Sequence, residues 1–524
     1  MIYVIGSGPS GIACARALVR RGHAVTVLDV GTVLEEPRVR QRNRLASLSP
    51  ASWRSADTTF LRDGIRGHGT AIPLKRAYGS DFPYRGVQGA ARFDVAGAGL
   101  RPSYARAGLS NVWGATVMPY RQDDIQDWPI TVERLAPYYR EIFDFMPLAG
   151  VADPLASDFP LYSTSATDLP MSNQAKSLLA HWRSREGRLK RKGIQFGKAR
   201  TAVRANWNGH CCVRCGMCMY GCPYELIFST AATLEELQTT ATFRYIPNYH
   251  VVRVDEAGAV VNILATDTQT GQPTLFRAER VFLACGVLET TTVLLRSLDM
   301  YDRSISIRDS QYFLLPVLRT RNTSGARAEA LHTLAQLFVE ITDPRMSPFT
   351  VHLQTYTYNE LFEASVRDVF GPLARMLPTD GLISRLLLFQ GYLHSAHSGT
   401  LGITLSRESG RDVIHVRGQQ CTETRSVLRK LIIKLLAASL DLGLLPLVPL
   451  LRVAEPGRGY HCGGSFPMRN LPALGETDAY GRPHGLRRVH AVDATIFPSV
   501  PATTITLTVM ANAARIAAEF GSYA

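Results

Sequence analysis

The chain opens on a segment that leaves few folds available. Ile2-Tyr3-Val4-Ile5 is a short apolar strand, Gly6-Ser7-Gly8-Pro9-Ser10-Gly11 is a turn, and Ile12 to about Arg21 reads as a helix with alanines on one face and Gly22 as its stop. A second strand, Ala24 to Leu28, ends at Asp29. Strand, G-x-G-x-x-G turn, helix, strand is the βαβ dinucleotide fingerprint. Gly6 permits the tight turn, Gly8 lets the backbone approach a pyrophosphate, and Gly11 lets helix and strand pack closely. Ser10 sits at the start of the helix, whose free N–H groups and positive dipole end face that pyrophosphate. Asp29 is placed to accept hydrogen bonds from a ribose. The fingerprint alone does not separate FAD from NAD.

The chain has 524 residues, 46% of them hydrophobic and 19% charged, which excludes bulk disorder. No period of 20 to 50 residues marks a repeat array. The length allows two to four domains or one discontinuous unit. Fifty-eight Lys and Arg against 44 Asp and Glu give a net charge of +14. Such an excess points to an anionic membrane, an acidic protein or an anionic substrate, or to plain solvated surface. No module signature for RNA or DNA is present, so nucleic acid is not expected as a partner. Nothing at the N-terminus resembles a targeting segment, and the expectation is a cytoplasmic protein. Leu431 to Leu451 is the longest apolar stretch, broken by Lys434, Asp441 and two prolines. It reads as a buried helix with a loop, or as a peripheral membrane helix, since Arg425, Arg429 and Lys430 precede it.

Five of the nine cysteines fall in one window: Cys211, Cys212, Cys215, Cys218 and Cys222. From Cys212 the spacing is C-x2-C-x2-C-x3-C followed by Pro223, the run of bacterial ferredoxins. Gly216 and Gly221 relax the backbone between thiolates. Three usable ligands suit a [3Fe-4S] cluster and four a [4Fe-4S] cluster. Zinc and a metal-free loop are the alternatives, although zinc spacing usually pairs two separated CxxC units. Just upstream, residues 183–204 carry nine Lys or Arg, opposed only by Glu186. This segment is either a docking face for an acidic ferredoxin-like carrier or a solvated surface.

Three separated stretches resemble one family. His461-Cys462-Gly463-Gly464-Ser465, Asp478 with Gly481, Val492 to Pro498, and Thr504-Ile505-Thr506-Leu507-Thr508 are similar to the closing signature of glucose–methanol–choline (GMC) flavin oxidoreductases. Gly108-Leu109-Ser110-Asn111-Val112-Trp113-Gly114 resembles that family's flavin-contacting loop, and Ala284, Gly286, Glu289 and Thr290 its second nucleotide-contacting turn. Within the family the cysteine run resembles that of the iron–sulfur-containing bacterial FAD glucose dehydrogenase catalytic subunits, with Cys215 and one further residue added.

The resemblance implies an α/β chain with a Rossmann-like FAD-binding domain and a substrate domain on an antiparallel sheet. The implied FAD-binding parts are 1–130, 200–309 and 456–524, with the cysteine loop at 210–224. The implied substrate parts are 131–199 and 310–455. Gly6, Gly8, Ser10, Gly11, Asp29, Gly108, Ser110, Asn111, Trp113, Gly114, Gly286, Asp493 and Thr506 would hold FAD. The link is expected to be non-covalent, because Val112 stands where some members carry a linking histidine. His461 would take the hydroxyl proton while a hydride moves to flavin N5, a task that suits a neutral imidazole. Thr504 stands where the family usually has a second His or Asn, and a threonine is no base near neutral pH. It either orients the hydroxyl or leaves the pair to another residue; His394 and His397 are candidates, and His352 is a weaker one.

The leading expectation is an FAD dehydrogenase of an alcohol, a sugar or glycosylated molecule by the subgroup resemblance, with an iron–sulfur cluster relaying electrons to an external acceptor. A flavin isomerase or epimerase working by transient oxidation is the second reading. A non-catalytic flavin electron-transfer subunit is the third.

Overall fold

The computed structural model describes residues 1–62, 72, 74–207, 210–361 and 379–521. Residues 63–71, 73, 208–209, 362–378 and 522–524, which fall within the expected domains, lie outside the described residues. The first strand, Ile2–Ile5, is buried along its length, as a parallel strand covered on both faces must be. It lies between Arg280–Leu283 and Val25–Leu28. Val489–Ala491 and Phe243–Ile246 complete a five-stranded parallel sheet.

Helix Pro9–Arg20 begins on a proline, which loses nothing at a position whose N–H has no helical partner. Its small inward residues, Ala13, Ala15 and Ala17, let it sit between the sheet and the last helix, Ile505–Glu519. That helix answers with Ala511, Ala513, Ala514 and Ala517, all buried. A Cβ at Gly11 would stand 2.0 Å from the Gly6 carbonyl oxygen, so only glycine allows this approach of helix to turn. Gly6 has φ +101° and faces the Ala284 carbonyl, where a Cβ would stand at 2.6 Å.

A large antiparallel sheet forms the second layer. Its order runs Leu444–Pro446, Tyr312–Arg319, Leu386–Tyr392, Val351–Tyr356, Leu337–Ile341 and Ile194–Lys198, and Arg452–Val453 also pairs with Tyr312–Arg319. Helices Asn173–Arg183 and Thr422–Ala437 cover one face through Leu178, Trp182, Leu428 and Leu431. The register sets Gln195, Glu340, His352, Tyr392 and Tyr312 in one row across five strands. Phe338, Gln354, Gln390 and Leu314 form the next row. Residues directly opposite share a face, so these two rows present polar groups and aromatic rings to the same side.

A further sheet joins Cys462–Gly463, Ser304–Asp309, Thr400–Glu408, Arg411–Gln419 and Arg92–Ala96. It ties residues of the expected FAD-binding parts to residues of the expected substrate parts, so the boundaries read from sequence cut across it. The basic segment folds as helix Glu186–Arg191 and the edge strand Ile194–Lys198. No helix among the described residues is long and apolar enough to cross a membrane.

Candidate active site

One cavity runs from the opening glycine turn to the polar face of the large sheet. At its nucleotide end lie Gly6, Gly8, Ser10 and Asp29. Helix Pro9–Arg20 has no side-chain cap, which leaves its first N–H groups for a ligand. Asp29 accepts hydrogen bonds from the Ser7 hydroxyl and, at 3.1 Å, from the Tyr245 hydroxyl. Burial pushes its carboxyl up to about 6 against those bonds. Gly11 lies behind the turn, where it serves packing rather than contact.

Gly108, Ser110, Trp113 and Gly114 line the middle of the cavity, with Val112 beside them. Gly108 rests on Gly8, where a Cβ would meet the Gly8 Cα at 3.2 Å. Asn111 does not line the cavity; its amide donates to the carbonyls of Arg106 at 2.9 Å and Gly108 at 2.7 Å and braces the loop. Gly286 opens helix Val287–Ser297 with φ +82°. Asp493 accepts from the Gly286 N–H at 2.9 Å, the Thr290 hydroxyl and the Thr495 N–H, so one buried carboxylate fixes two turns at the cavity wall.

Three groups meet here, of which sequence reasoning named Glu289 and passed over Tyr104 and His250. Glu289 lines the cavity, takes a hydrogen bond from the Tyr104 hydroxyl and lies 3.1 Å from His250 Nε2. Burial raises the Glu289 carboxyl, but His250, Tyr104 and Arg296 more than offset it and hold it below the usual range. Only Glu289 carried a signal, as part of the second turn. Tyr104 and His250 come from distant segments.

At the far end His461, Thr504 and Thr506 line the same cavity. The His461 ring stacks on Tyr392 at 4.4 Å and 16°, and its Nδ1 has no partner. Burial, then the field of His352, push its proton affinity down to about 3, so the imidazole is neutral near pH 7. Thr504 precedes the last helix with its hydroxyl buried and unpartnered. Gln354, Gln390 and Tyr392 of the large sheet complete this end, with Gln354 Nε2 donating to Thr116 Oγ1 at 3.2 Å and Gln390 Nε2 to the Tyr392 hydroxyl at 2.7 Å.

Behind that wall His352 Nδ1 lies 2.6 Å from Glu340 Oε1, both side chains wholly inaccessible. His352 Nε2 and Glu340 Oε2 lack partners. His394 and His397, expected near the flavin face, stand outside the cavity lining. His394 Nδ1 accepts from the Ala396 N–H, its Nε2 lies 3.0 Å from the Asp124 carbonyl, and its ring stacks on Phe349 at 3.7 Å. His397 lies between the Ser347 hydroxyl and Glu423. Both rings are fully engaged in holding loops.

Four of the five clustered cysteines, Cys212, Cys215, Cys218 and Cys222, pack on one hydrophobic cluster with Trp113, Tyr224 and Leu226. Cys211 is exposed. Burial, then charge on Cys218, push Cys215 and Cys222 up to about 12. Among the described residues no group of three or more His, Cys, Asp or Glu is arranged to hold a metal ion. The expected five-cysteine ligand set is therefore not assembled as a metal site: four of the thiols share one apolar cluster and Cys211 stands exposed. The soft thiols in an apolar shell do match the donor chemistry of an iron–sulfur cluster. Lys75 joins this cluster to the cavity, donating to the Trp113 carbonyl at 2.7 Å. Burial pushes its amine down to about 8, and Cys218 and Cys222 act against that.

The comparisons with known proteins agree with this layout. Residues 4–34 match the NAD(P)-binding Rossmann-like domain, and residues 452–513 match the GMC oxidoreductase family. No curated protein sequence matches the chain. Among solved structures it is similar to pyridoxine 4-oxidase from Mesorbium loti, with 15% identity, a TM-score of 0.60, and coverage of 100% of this chain and 99% of that one. The fold is thus that of this oxidase structure, and the stretch 452–513, which spans His461 and Thr504, matches an oxidoreductase family model.

Proposed function

We propose that the chain is an FAD-dependent dehydrogenase that oxidises an alcohol. One observation carries the reading: a single cavity joins the nucleotide cradle at Gly6 to Ser10 and Asp29 with a neutral imidazole, His461, whose Nδ1 is unpartnered. FAD, when bound, supplies the hydride acceptor, and the turn at Gly6, the Asp29 carboxylate, the Gly108 loop and the Asp493 turn would hold it. The task left to the protein is to take the hydroxyl proton. His461 accepts it; Thr504 orients the hydroxyl by a hydrogen bond. The amides of Gln354 and Gln390 and the Tyr392 hydroxyl offer several donors and acceptors beside an aromatic face. That lining supports a hydroxyl-rich substrate, a sugar or glycosylated small molecule.

The cysteine loop packs on Trp113, which also lines the cavity. The thiols of Cys212, Cys215, Cys218 and Cys222 match an iron–sulfur cluster in donor type alone, and a cluster would supply a one-electron exit toward an external acceptor only if its binding drew them together. Thr504, with no base in its place, favours a second reading: an isomerase that oxidises its substrate and returns the hydride. Anaerobic purification followed by absorption and EPR spectra, with iron and sulfide assays, tests the cofactor set. Flavin reduction is then measured with aldoses, simple alcohols and pyridoxine. Flavin with a stoichiometric cluster and net alcohol oxidation supports the dehydrogenase. Flavin without iron makes the cysteines a structural loop, and turnover under argon without a mediator gives the isomerase.

A further inference from the structure

Two features far apart in the sequence, the basic segment from Arg183 and the apolar stretch from Leu431, meet on one surface. Lys192 Nζ donates to the Ala437 carbonyl at 3.0 Å and lies 2.8 Å from Asp441 Oδ2, and Arg188 Nη1 lies 3.6 Å from Asp441 Oδ1. Trp182 Nε1 donates to the Leu442 carbonyl at 2.8 Å. Helix Glu186–Arg191 is thereby held against the short helix Ser439–Leu442.

The inward residues of helix Thr422–Ala437 and of this short helix, Val427, Leu428, Leu431, Leu435 and Leu442, fill the core under the large sheet. The outward face is not polar. Ile433 is 56% exposed, Leu436 41%, Leu440 84%, Leu445 48% and Val448 36%. A lone exposed leucine needs no explanation, but five aliphatic side chains between 433 and 448 do. Along the outer stripe, at steps of three and four residues, Arg425 and Arg429 give way to Ile433, Leu436 and Leu440, so the stripe is basic at one end and apolar at the other.

The charged groups around the patch are mostly cationic. Arg183, Arg188, Lys190, Arg191, Arg425, Arg429 and Lys430 are exposed. Asp441 is taken up by Lys192 and Arg188, Asp343 by Lys434 and Arg345, and Glu423 lies beside His397, which leaves Glu186 as the acid within the basic helix.

We propose that this surface docks on an anionic membrane. Ile433, Leu436, Leu440, Leu445 and Val448 enter the boundary between headgroups and acyl chains, and the rim of Lys and Arg meets lipid phosphates. The patch is wholly aliphatic, whereas contacts between proteins favour aromatic anchors. Long cationic stems beside it can reach up to headgroups while their methylenes stay in the apolar layer. The contact is peripheral, since no helix among the described residues is long and apolar enough to span.

Sedimentation of the purified chain with vesicles tests this independently of its enzymology. The chain binds phosphatidylcholine vesicles carrying about 30% phosphatidylserine, and binds pure phosphatidylcholine at least about tenfold less. Ile433→Ser with Leu436→Ser and Leu440→Ser lowers binding to the mixed vesicles at least about tenfold. Arg188→Glu with Lys190→Glu and Arg191→Glu does the same. All six side chains are exposed, and an unchanged circular dichroism spectrum confirms that each variant folds. No binding to the mixed vesicles overturns the proposal. Full binding by the serine variant overturns it as well, because charge alone then accounts for the attraction. A self-association that the serine variant abolishes, with no vesicle binding, overturns it in favour of a contact between two copies.

Discussion

Glu340 and His352 give the sharpest test of how the wall behind His461 is built. Their side chains are 2.6 Å apart with no solvent access, and each has one further polar atom without a partner. Removing one partner strands the other in the core, which costs about 3–5 kcal/mol. Glu340→Leu and His352→Phe alone are therefore each expected to destabilise by that amount. Replacing the pair with apolar groups of similar volume, Glu340→Leu with His352→Phe, leaves nothing stranded and is expected to fall within about 1.5 kcal/mol of the parent. The double-mutant cycle then shows a coupling of at least about 4 kcal/mol. Denaturation at a fixed, saturating FAD concentration measures it, because ligand binding shifts apparent stability. Additive single effects would show that the pair is not a closed buried unit and would refute the reasoning. Because the field of His352 reaches His461, the apolar pair is also expected to raise the proton affinity of His461 and move the pH dependence of flavin reduction upward.

Other outcomes follow from the same physics. Gly11→Ala places a Cβ 2.0 Å from the Gly6 carbonyl oxygen and is expected to cost about 1–3 kcal/mol, seen as about 5- to 150-fold weaker FAD binding by flavin fluorescence. Burial pushes the Asp309 carboxyl up to about 7, with one oxygen unpartnered. A raised acid destabilises progressively as pH climbs from its unfolded value near 3.8 through 7, so Asp309→Asn stabilises by a few kcal/mol at pH 8 and by nothing near pH 4, read from denaturation midpoints. If the cysteine loop holds iron, Cys218→Ser lowers the bound iron and Cys211→Ser leaves it unchanged, because Cys218 lies among the other thiols and Cys211 is exposed; equal iron in both variants refutes that assignment.

What the sequence disclosed and what it withheld divide by distance along the chain. The opening turn was readable because its glycines recur at fixed spacing: Gly6 takes a positive φ, and a Cβ at Gly11 would meet the Gly6 carbonyl within the same turn. The second turn and Asp493 were named through the family resemblance, which rests on short contiguous stretches. Tyr104, His250 and Glu289 come together across 185 and 39 residues, and no spacing announces that. Gln354, Gln390 and Tyr392 sit on strands that alternation identifies, but which strand pairs with which, and in what register, is decided by packing of the whole sheet. His394 and His397 were chosen by residue type, and the structure uses both to fasten loops. The cysteine spacing gave proximity without orientation. Ligand convergence depends on how the loop lies on Trp113 and Tyr224, which the spacing does not encode.

The central claim is that His461 takes the substrate proton in a cavity shared with FAD. Stopped-flow reduction of the bound flavin under anaerobic conditions, comparing the parent chain with His461→Asn at equal FAD content and with the alcohol that reduces the parent fastest, tests it directly. The account predicts a loss of at least about 100-fold in the limiting rate with FAD still bound. An unchanged rate would contradict it and move the proton acceptor away from His461.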